Sequence, residues 1–312
     1  MTAAEITLRL PVGSEPGSNA RSLVELARRA EDAGFSGVSL SDHVVMGPRV
    51  DRYPWGEFPF SPAAPWVEPL TVLTAIAAVT TQIRLTTGIL IVPLRPAALL
   101  AKWAATIDAV SGGRLELGVG TGWQQEEFEA VGVDYASRGQ ALTDGIAACR
   151  ALWSASPASF TSATVSFAQV WCEPKPVRPG GPPVLFSGTL TPRNQRRIVE
   201  LGDGWIPIMG ERRTGIAEGV AKLRELLTAA GRDPAGLRVR SAARIGRTSA
   251  GHSGGARPDL AATIEGAPVL IEAGVTDIDV PMSVFVTSED GLADFFATAA
   301  RAISGASWVR GG

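Results

Sequence analysis

Eight short runs of β character are each followed by a segment of helical period, and this regular alternation limits the fold more than any other feature of the chain. The strand candidates are 6–12 (ITLRLPV), 37–41 (GVSLS), 83–91 (IRLTTGILI), 114–120 (RLELGVG), 183–188 (PVLFSG), 204–208 (GWIPI), 237–245 (LRVRSAARI) and 277–282 (DIDVPM). Between them the helices have physical start and stop signals. Leu23, Leu26, Ala27, Ala30 and Ala33 make one apolar stripe that Gly34 ends, and Pro69 stands where a helix tolerates proline, in its first turn. Gly112 and Gly113 stop the helix that begins near Pro96. Further helical segments cover 139–153, 191–202, 215–231, 258–274 and 289–303, with a β-like excursion at 160–167. Short strands, read as apolar on both faces and spread evenly over 312 residues, predict one α/β domain spanning 1–312, a closed parallel TIM (β/α)8 barrel with insertion loops at its C-terminal face. A doubly wound sheet is the alternative. Its best fingerprint is GVGTGW at 118–123, but a dinucleotide site needs G-x-G-x-x-G at the first strand–helix turn.

Composition excludes several classes of function. A net charge of −2 leaves no electrostatic footprint for nucleic acid. Cys149 and Cys172 read as single thiols of a reducing cytosol, not as a disulfide framework. The opening MTAAEITLRL lacks the layout of a signal peptide, and no apolar run approaches the roughly 18 residues that suggest a membrane span. The expectation is a soluble cytoplasmic protein whose partner is a small molecule.

In such a barrel the chemistry sits on the loops that leave the strands. Asp42 and His43 follow the second strand and form the one titratable pair at a loop start. Ile91, Val92 and Pro93 follow the third; Gly120, Thr121, Gly122 and Trp123 the fourth; Ser187 and Gly188 end the fifth, ahead of Thr191 and Asn194; Met209, Gly210 and Glu211 follow the sixth. Glycines, hydroxyls and an indole suit a flat heteroaromatic ligand lying against backbone. Plainer readings stand beside this one. Asp42 and His43 serve equally well as a capping Asp and a half-buried His, Trp123 as packing, and GVGTG as a tight turn. Neither the cysteines nor His252 gives metal-ligand spacing, and His252 reads as part of a solvated loop. Residues 44–68 are too long and aromatic for a plain connector; Tyr53, Trp55, Phe58, Phe60 and Trp66 either roof a ligand, seal the barrel end or meet a second subunit of a homodimer. Residues 246–257 form a second, flexible candidate for substrate choice.

The stretches DAGFSGVSLSDH (32–43), IRLTTGILIVPLRPAALLAKWAATIDAVSGGRLELGVGTGWQQEEFEAVG (83–132), EPKPVRPGGPPVLFSG (173–188) and LGDGWIPI (201–208) resemble the luciferase-like monooxygenase superfamily. Within it they are most similar to the oxidoreductases that use the deazaflavin coenzyme F420. The resemblance runs from about residue 18 to 230, with a weaker tail through IEAGVTDIDV. It implies a (deaza)flavin ring in the barrel mouth, His43 as the proton-transfer residue and Asp42 as a hydrogen-bonding partner of the cofactor. It also implies a non-proline cis peptide at Gly88–Ile89 behind the ring, with Ile91 beyond it. Further cofactor contacts fall on Thr121, Gly122, Trp123, Glu126, Ser187 and Gly188, and a phosphate-side stretch on Thr191 to Asn194. Trp123 and Glu211 stand where relatives acting on sugar phosphates carry a glutamate and a lysine, so the resemblance points away from a sugar phosphate. The implied reaction is hydride transfer with F420. The alternatives are an FMN-dependent monooxygenase and a barrel that binds the cofactor without turnover.

Overall fold

A sheet keeps unpaired edges unless it closes on itself, and here the first and last strands pair. In the computed structural model, which describes residues 3–13, 15–208, 210–248 and 256–309, eight strands form a closed parallel barrel. They are β1 (Glu5–Arg9), β2 (Gly37–Leu40), β3 (Arg84–Ile91), β4 (Leu115–Gly120), β5 (Val184–Ser187), β6 (Gly204–Ile206), β7 (Arg238–Ala242) and β8 (Asp277–Pro281). Closure runs from Glu5 opposite Asp277 to Arg9 opposite Pro281. The TIM-like barrel expected from the alternation is therefore the fold.

The helices around it are α1 (Ala20–Asp32), α2 (Pro69–Val79), α3 (Ala97–Ser111), α4 (Gln125–Ala130), α5 (Arg138–Ser154), α6 (Pro192–Leu201), α7 (Arg213–Ala229), α8 (Leu260–Glu265), α9 (Pro268–Glu272) and α10 (Leu292–Gly305). Local chemistry sets their ends. The Asn19 side chain caps α1 by accepting from the Ser22 N–H, Glu68 does the same for α2 through Thr71, and Gly112 ends α3 at φ +67°. One expectation needs correction, and one helix carried no sequence signal. The segment 258–274 is two short helices, because Gly266 and Pro268 interrupt it, and the six-residue α4 lacks the length for a readable period. The β-like excursion is an antiparallel pair, Ala158–Thr161 with Ser166–Val170. Gly246 and Arg247 pair with Asp259 and Pro258; the middle of that loop, with His252, lies outside the described residues, as does Met209. No described helix is long and apolar enough to cross a membrane, and both cysteines are buried and free.

The inner face of the barrel also departs from expectation. The strands are apolar toward the helices, but inward positions hold charge, because parallel strands packed around a narrow axis bring opposite charges within reach. Arg240 on β7 bonds to Glu116 on β4, which is not its neighbour in the sheet, and at 2.7 Å to Asp277 on β8. Arg84 on β3 pairs with Glu5 on β1 and with Asp277 (3.4 Å), and Arg238 reaches Glu116 (2.5 Å) and Glu5 (2.9 Å). The Thr7 hydroxyl donates to Asp277 (2.8 Å). Arg9 and Asp279 continue the series toward the C-terminal end. Each buried charge thus meets its opposite, which offsets the desolvation that would otherwise be costly.

Removing one partner of such a pair costs about 3–5 kcal/mol, so Asp277→Asn should lower stability by that amount in urea unfolding. Burial pushes the Asp277 carboxyl up, but the charges of Arg240 and Arg84 outweigh it and hold the group well below the usual carboxylate range. The unfolded chain therefore binds the proton first as pH falls. The stabilisation is whole above about pH 4 and declines at lower pH. Asp277→Asn should accordingly flatten the acid limb of the stability curve; an acid limb as steep as the parent's would contradict this role.

Candidate active site

Three consecutive strand ends build the site. Where β2 ends, the Ser41 hydroxyl donates to the Gly88 carbonyl (3.2 Å), tying the two strands at a bulge in β3 where the register shifts between Thr87 and Leu90. The Gly88–Ile89 peptide in this bulge is cis. Asp42, 4% exposed, accepts from the Ile91 N–H (2.8 Å) and, through both oxygens, from the Arg95 guanidinium (2.7 and 2.8 Å). Arg95 also donates to Glu68 at 2.9 Å. Burial pushes the Asp42 carboxyl up, and the two-pronged Arg95 contact with the Ile91 N–H pulls it back; Arg95 is held firmly as a cation. Asp42 therefore fixes the end of β2 against the bulge.

His43 points from the same turn into an aromatic cage. Its Nδ1 lies 3.1 Å from Glu127 Oε2 on α4, and the other Glu127 oxygen accepts from the Val44 N–H at 2.6 Å. Glu127 is fully buried. A carboxylate only accepts, so Nδ1 carries the hydrogen and Nε2, which has no partner among the described residues, is left as the available ring nitrogen. Trp66 meets the imidazole edge to face at 4.7 Å, with Phe58 and Trp123 each at 6.1 Å. Tyr53 packs 5.3 Å from Trp123, 5.2 Å from Phe58 and 5.3 Å from Trp55. Loop 44–68 thus folds its aromatic residues over His43, and the Trp66 Nε1 inside this cluster is buried without a hydrogen-bond partner.

The turn after β4 is held by close packing. A Cβ at Gly120 would lie 2.8 Å from Ile89, and one at Gly122, where φ is +72°, 2.7 Å from Ile91. These contacts pack Gly120 on Ile89 and Gly122 on Ile91 and Phe128, joining the strand-three bulge to the turn after β4. The Tyr135 hydroxyl bonds the Trp123 carbonyl (2.8 Å), and Arg138 stacks on the Tyr135 ring at 3.8 Å. Beside Arg138 the first turns of α5 and α6 converge: Arg193 Nη1 comes within 3.1 Å of the Cβ position of Gly139. Arg197 also bonds the Gly139 carbonyl; burial, with Arg193 close by, pushes its guanidinium down to about 10. Thr191 caps α6 by accepting from the Asn194 N–H (3.3 Å), while Asn194 Nδ2 donates to the Ser187 and Thr189 carbonyls (3.3 and 3.2 Å). Asn194 Oδ1 is buried and unpaired, and Gly188, at φ +113°, leaves open backbone next to it. Helix N-termini with arginines beside them are suited to an anionic group.

Most of the site residues named from the sequence fall on this rim. Glu126 packs against the start of loop 44–68: its Cβ lies 2.5 Å from the Cβ position of Gly47, and its buried Oε2 has no hydrogen-bond partner among the described residues. The next residue, Glu127, faces His43, and sequence reasoning missed it because nothing local separates two adjacent glutamates on so short a helix. Arg95 and Arg138 were missed too, since their roles depend on strand ends far away in sequence. No cluster able to hold a metal ion occurs among the described residues.

The closed (β/α)8 barrel carries a glycine-lined wall, an imidazole–carboxylate pair and a group of arginines near its strand C-termini. The chain belongs to the luciferase-like monooxygenase family, whose model matches residues 5–248. It is an oxidoreductase or monooxygenase of that type. An uncharacterized protein of Mycobacterium tuberculosis is 35% identical over 211 residues, 66% of this chain and 74% of the relative. Among solved structures, an F420-dependent secondary alcohol dehydrogenase in complex with an F420-acetone adduct superposes with TM-score 0.76 at 17% identity, covering 100% of both chains. A riboflavin lyase with modified FMN and riboflavin superposes with TM-score 0.75 at 15% identity, covering 100% of this chain and 93% of that one.

With two histidines in the chain, His43 is readily assigned by NMR. Its imidazole 15N shifts should show the hydrogen on Nδ1 in the neutral form, and Glu127→Ala should move it toward Nε2. Identical tautomers in parent and variant would remove Glu127 from the orienting role.

Proposed function

We propose that the protein is an F420-dependent oxidoreductase that moves a hydride between the deazaflavin and a small organic substrate other than a sugar phosphate. The observation that carries this reading is the buried His43 imidazole, fixed through Nδ1 by Glu127 with Nε2 free, next to the Gly88–Ile89 bulge. The residues present fit such a cofactor. A Cβ at Gly88 would meet only Ser39, at 3.4 Å, so a flat ring can lie against that backbone. Trp66 Nε1 and Asn194 Oδ1 are a donor and an acceptor still to be satisfied. Arg138, Arg193 and the first turn of α6 would hold the anionic tail. When bound, the deazaflavin supplies or receives the hydride.

The chain itself moves the proton. His43 Nε2 takes a proton from a substrate hydroxyl in one direction and returns it in the other, with Glu127 holding the ring through Nδ1. Asp42 acts as a positioning residue that keeps Ile91 and the bulge in place by accepting from the Ile91 N–H, with Arg95 fixing its carboxylate. Tyr53, Phe58, Trp66 and Trp123 exclude water and furnish the apolar half of the site. Phosphate finds no lysine here: Lys175 is bonded to the Leu152 and Ala155 carbonyls, Lys222 to Glu225 and Lys102 to the Glu173 carbonyl, while Glu211 accepts from the Arg212 N–H. The free buried thiols suit a cytoplasmic setting.

FMN is the second reading, supported by the riboflavin lyase among the structural neighbours. Fluorescence-quenching titrations separate the two. F420 should bind more tightly than FMN, and Arg138→Ala or Arg193→Ala should each weaken it about tenfold, the worth of one charge-assisted bond. His43→Ala should keep cofactor affinity and lose about 100-fold or more in deazaflavin turnover with a substrate found by screening. Tighter FMN binding with flavin-dependent dioxygen uptake would move the assignment to a monooxygenase, and full turnover in His43→Ala would reject the proton role.

A further inference from the structure

β1 ends at the mouth on Arg9, which has no part in the reading above. Its guanidinium gives Nε (2.8 Å) and Nη2 to Asp279 Oδ2 on β8, and Asp279 Oδ1 accepts from the Ser39 hydroxyl on β2 (3.1 Å). Ser39 is the register partner of Arg9 and the side chain directly under Gly88, so this array borders the backbone against which a flat ring would lie. From the other side Tyr53 feels the Arg9 charge: burial pushes the phenol up and Arg9 pulls it back. Arg9 therefore lies near enough to the aromatic loop for its charge to act on Tyr53. Exposure separates it from the arginine deeper in the barrel. Arg240 is 2% exposed with Glu116 and Asp277 on either side, whereas the Arg9 side chain keeps 28% exposure above an Asp279 at 9%. Both guanidiniums keep an Nη1 without an acceptor among the described residues, but that of Arg240 is sealed inside the barrel, while Arg9 belongs to a side chain that solvent or a ligand can reach.

We propose that Arg9, positioned by Asp279, is the substrate-anchoring donor of this site and selects a neutral organic molecule with a carbonyl oxygen on an aromatic or apolar body. The charge balance sets that choice. Asp279 cancels the formal charge of Arg9, which leaves a directional N–H without a surplus positive field. An anion gains little from a neutralised pair and meets the Asp279 carboxylate behind it; a carbonyl takes the hydrogen bond without that repulsion. Tyr53, Phe58 and Trp123 supply the apolar surface for the rest of the molecule. This assignment rests on the barrel mouth being the substrate site.

Three probes of similar shape test it: acetophenone, benzoate and ethylbenzene, followed by ligand-observed NMR on the protein with and without F420. Acetophenone should bind at least tenfold more tightly than either of the others. The Arg9→Met/Asp279→Asn double variant removes the guanidinium donor and both charges together and leaves no buried carboxylate unpaired; it should bind acetophenone and ethylbenzene alike. Asp279→Asn alone leaves a charged, unanchored Arg9 and should raise benzoate to the level of acetophenone, a reversal that a purely structural role for the pair would not produce. Should the double variant fail to fold, Arg9→Lys keeps the charge, loses the planar fork and should cut the acetophenone preference several-fold. Benzoate as the tightest probe in the parent, no discrimination among the three, or an acetophenone preference that survives loss of Arg9 would each overturn the assignment. F420 failing to bind would count against the proposed cofactor, while the preference read without it still decides the role of Arg9.

Discussion

The structure depends on a charge placed where a barrel usually holds hydrocarbon. Arg240 crosses the interior to Glu116 and Asp277, and Arg84 and Arg238 tie the same carboxylates to Glu5. The carboxylates and guanidiniums come from β1, β3, β4, β7 and β8, so the pairs can all be satisfied only when the cylinder is closed in one register. A slip by one residue would turn every one of these charges toward the apolar helices. The same network fills the lower part of the barrel and leaves the strand C-termini as the place where a ligand can enter.

At that end the chain repeats one device: a side chain from one strand end, or from the helix that follows it, fixes a neighbouring strand end. Asp42 holds Ile91, Ser41 holds Gly88, and Glu127 holds both His43 and Val44. The first two set the wall, and the third sets the imidazole against it. Val44 is where the long aromatic loop begins, so a single buried carboxylate orients the proton carrier and anchors its cover. Coupling of this kind keeps a reactive group in one geometry before substrate arrives, which is where much of the advantage of a preorganised site lies.

The sequence made some of this legible and hid the rest for definable reasons. Helix stops at Gly34 and Gly112, the first-turn Pro69 and the eightfold alternation are local signals, and the barrel followed from them. The Asp42–His43 pair stood out because it follows a strand directly. Arg84, Glu116, Arg238, Arg240 and Asp277 alternate with Leu85, Leu115, Leu117, Val239 and Ile278, a period of two that marks a polar inner face, yet the apolar residues dominated the reading of the strands. Glu127, Arg95 and Arg9 find their partners 84, 53 and 270 residues away, and no local pattern encodes such distances. The split of 258–274 was, by contrast, written plainly in Gly266 and Pro268.

A crystal of the protein soaked with oxidised F420 tests this arrangement of wall, imidazole and rim. The deazaflavin ring should lie against the Gly88–Ile89 backbone, with its reactive edge toward His43 Nε2 and its tail at Arg138 and Arg193. A ring bound elsewhere on the barrel, or a His43 imidazole that has left Glu127 and turned away from the ring, would contradict it.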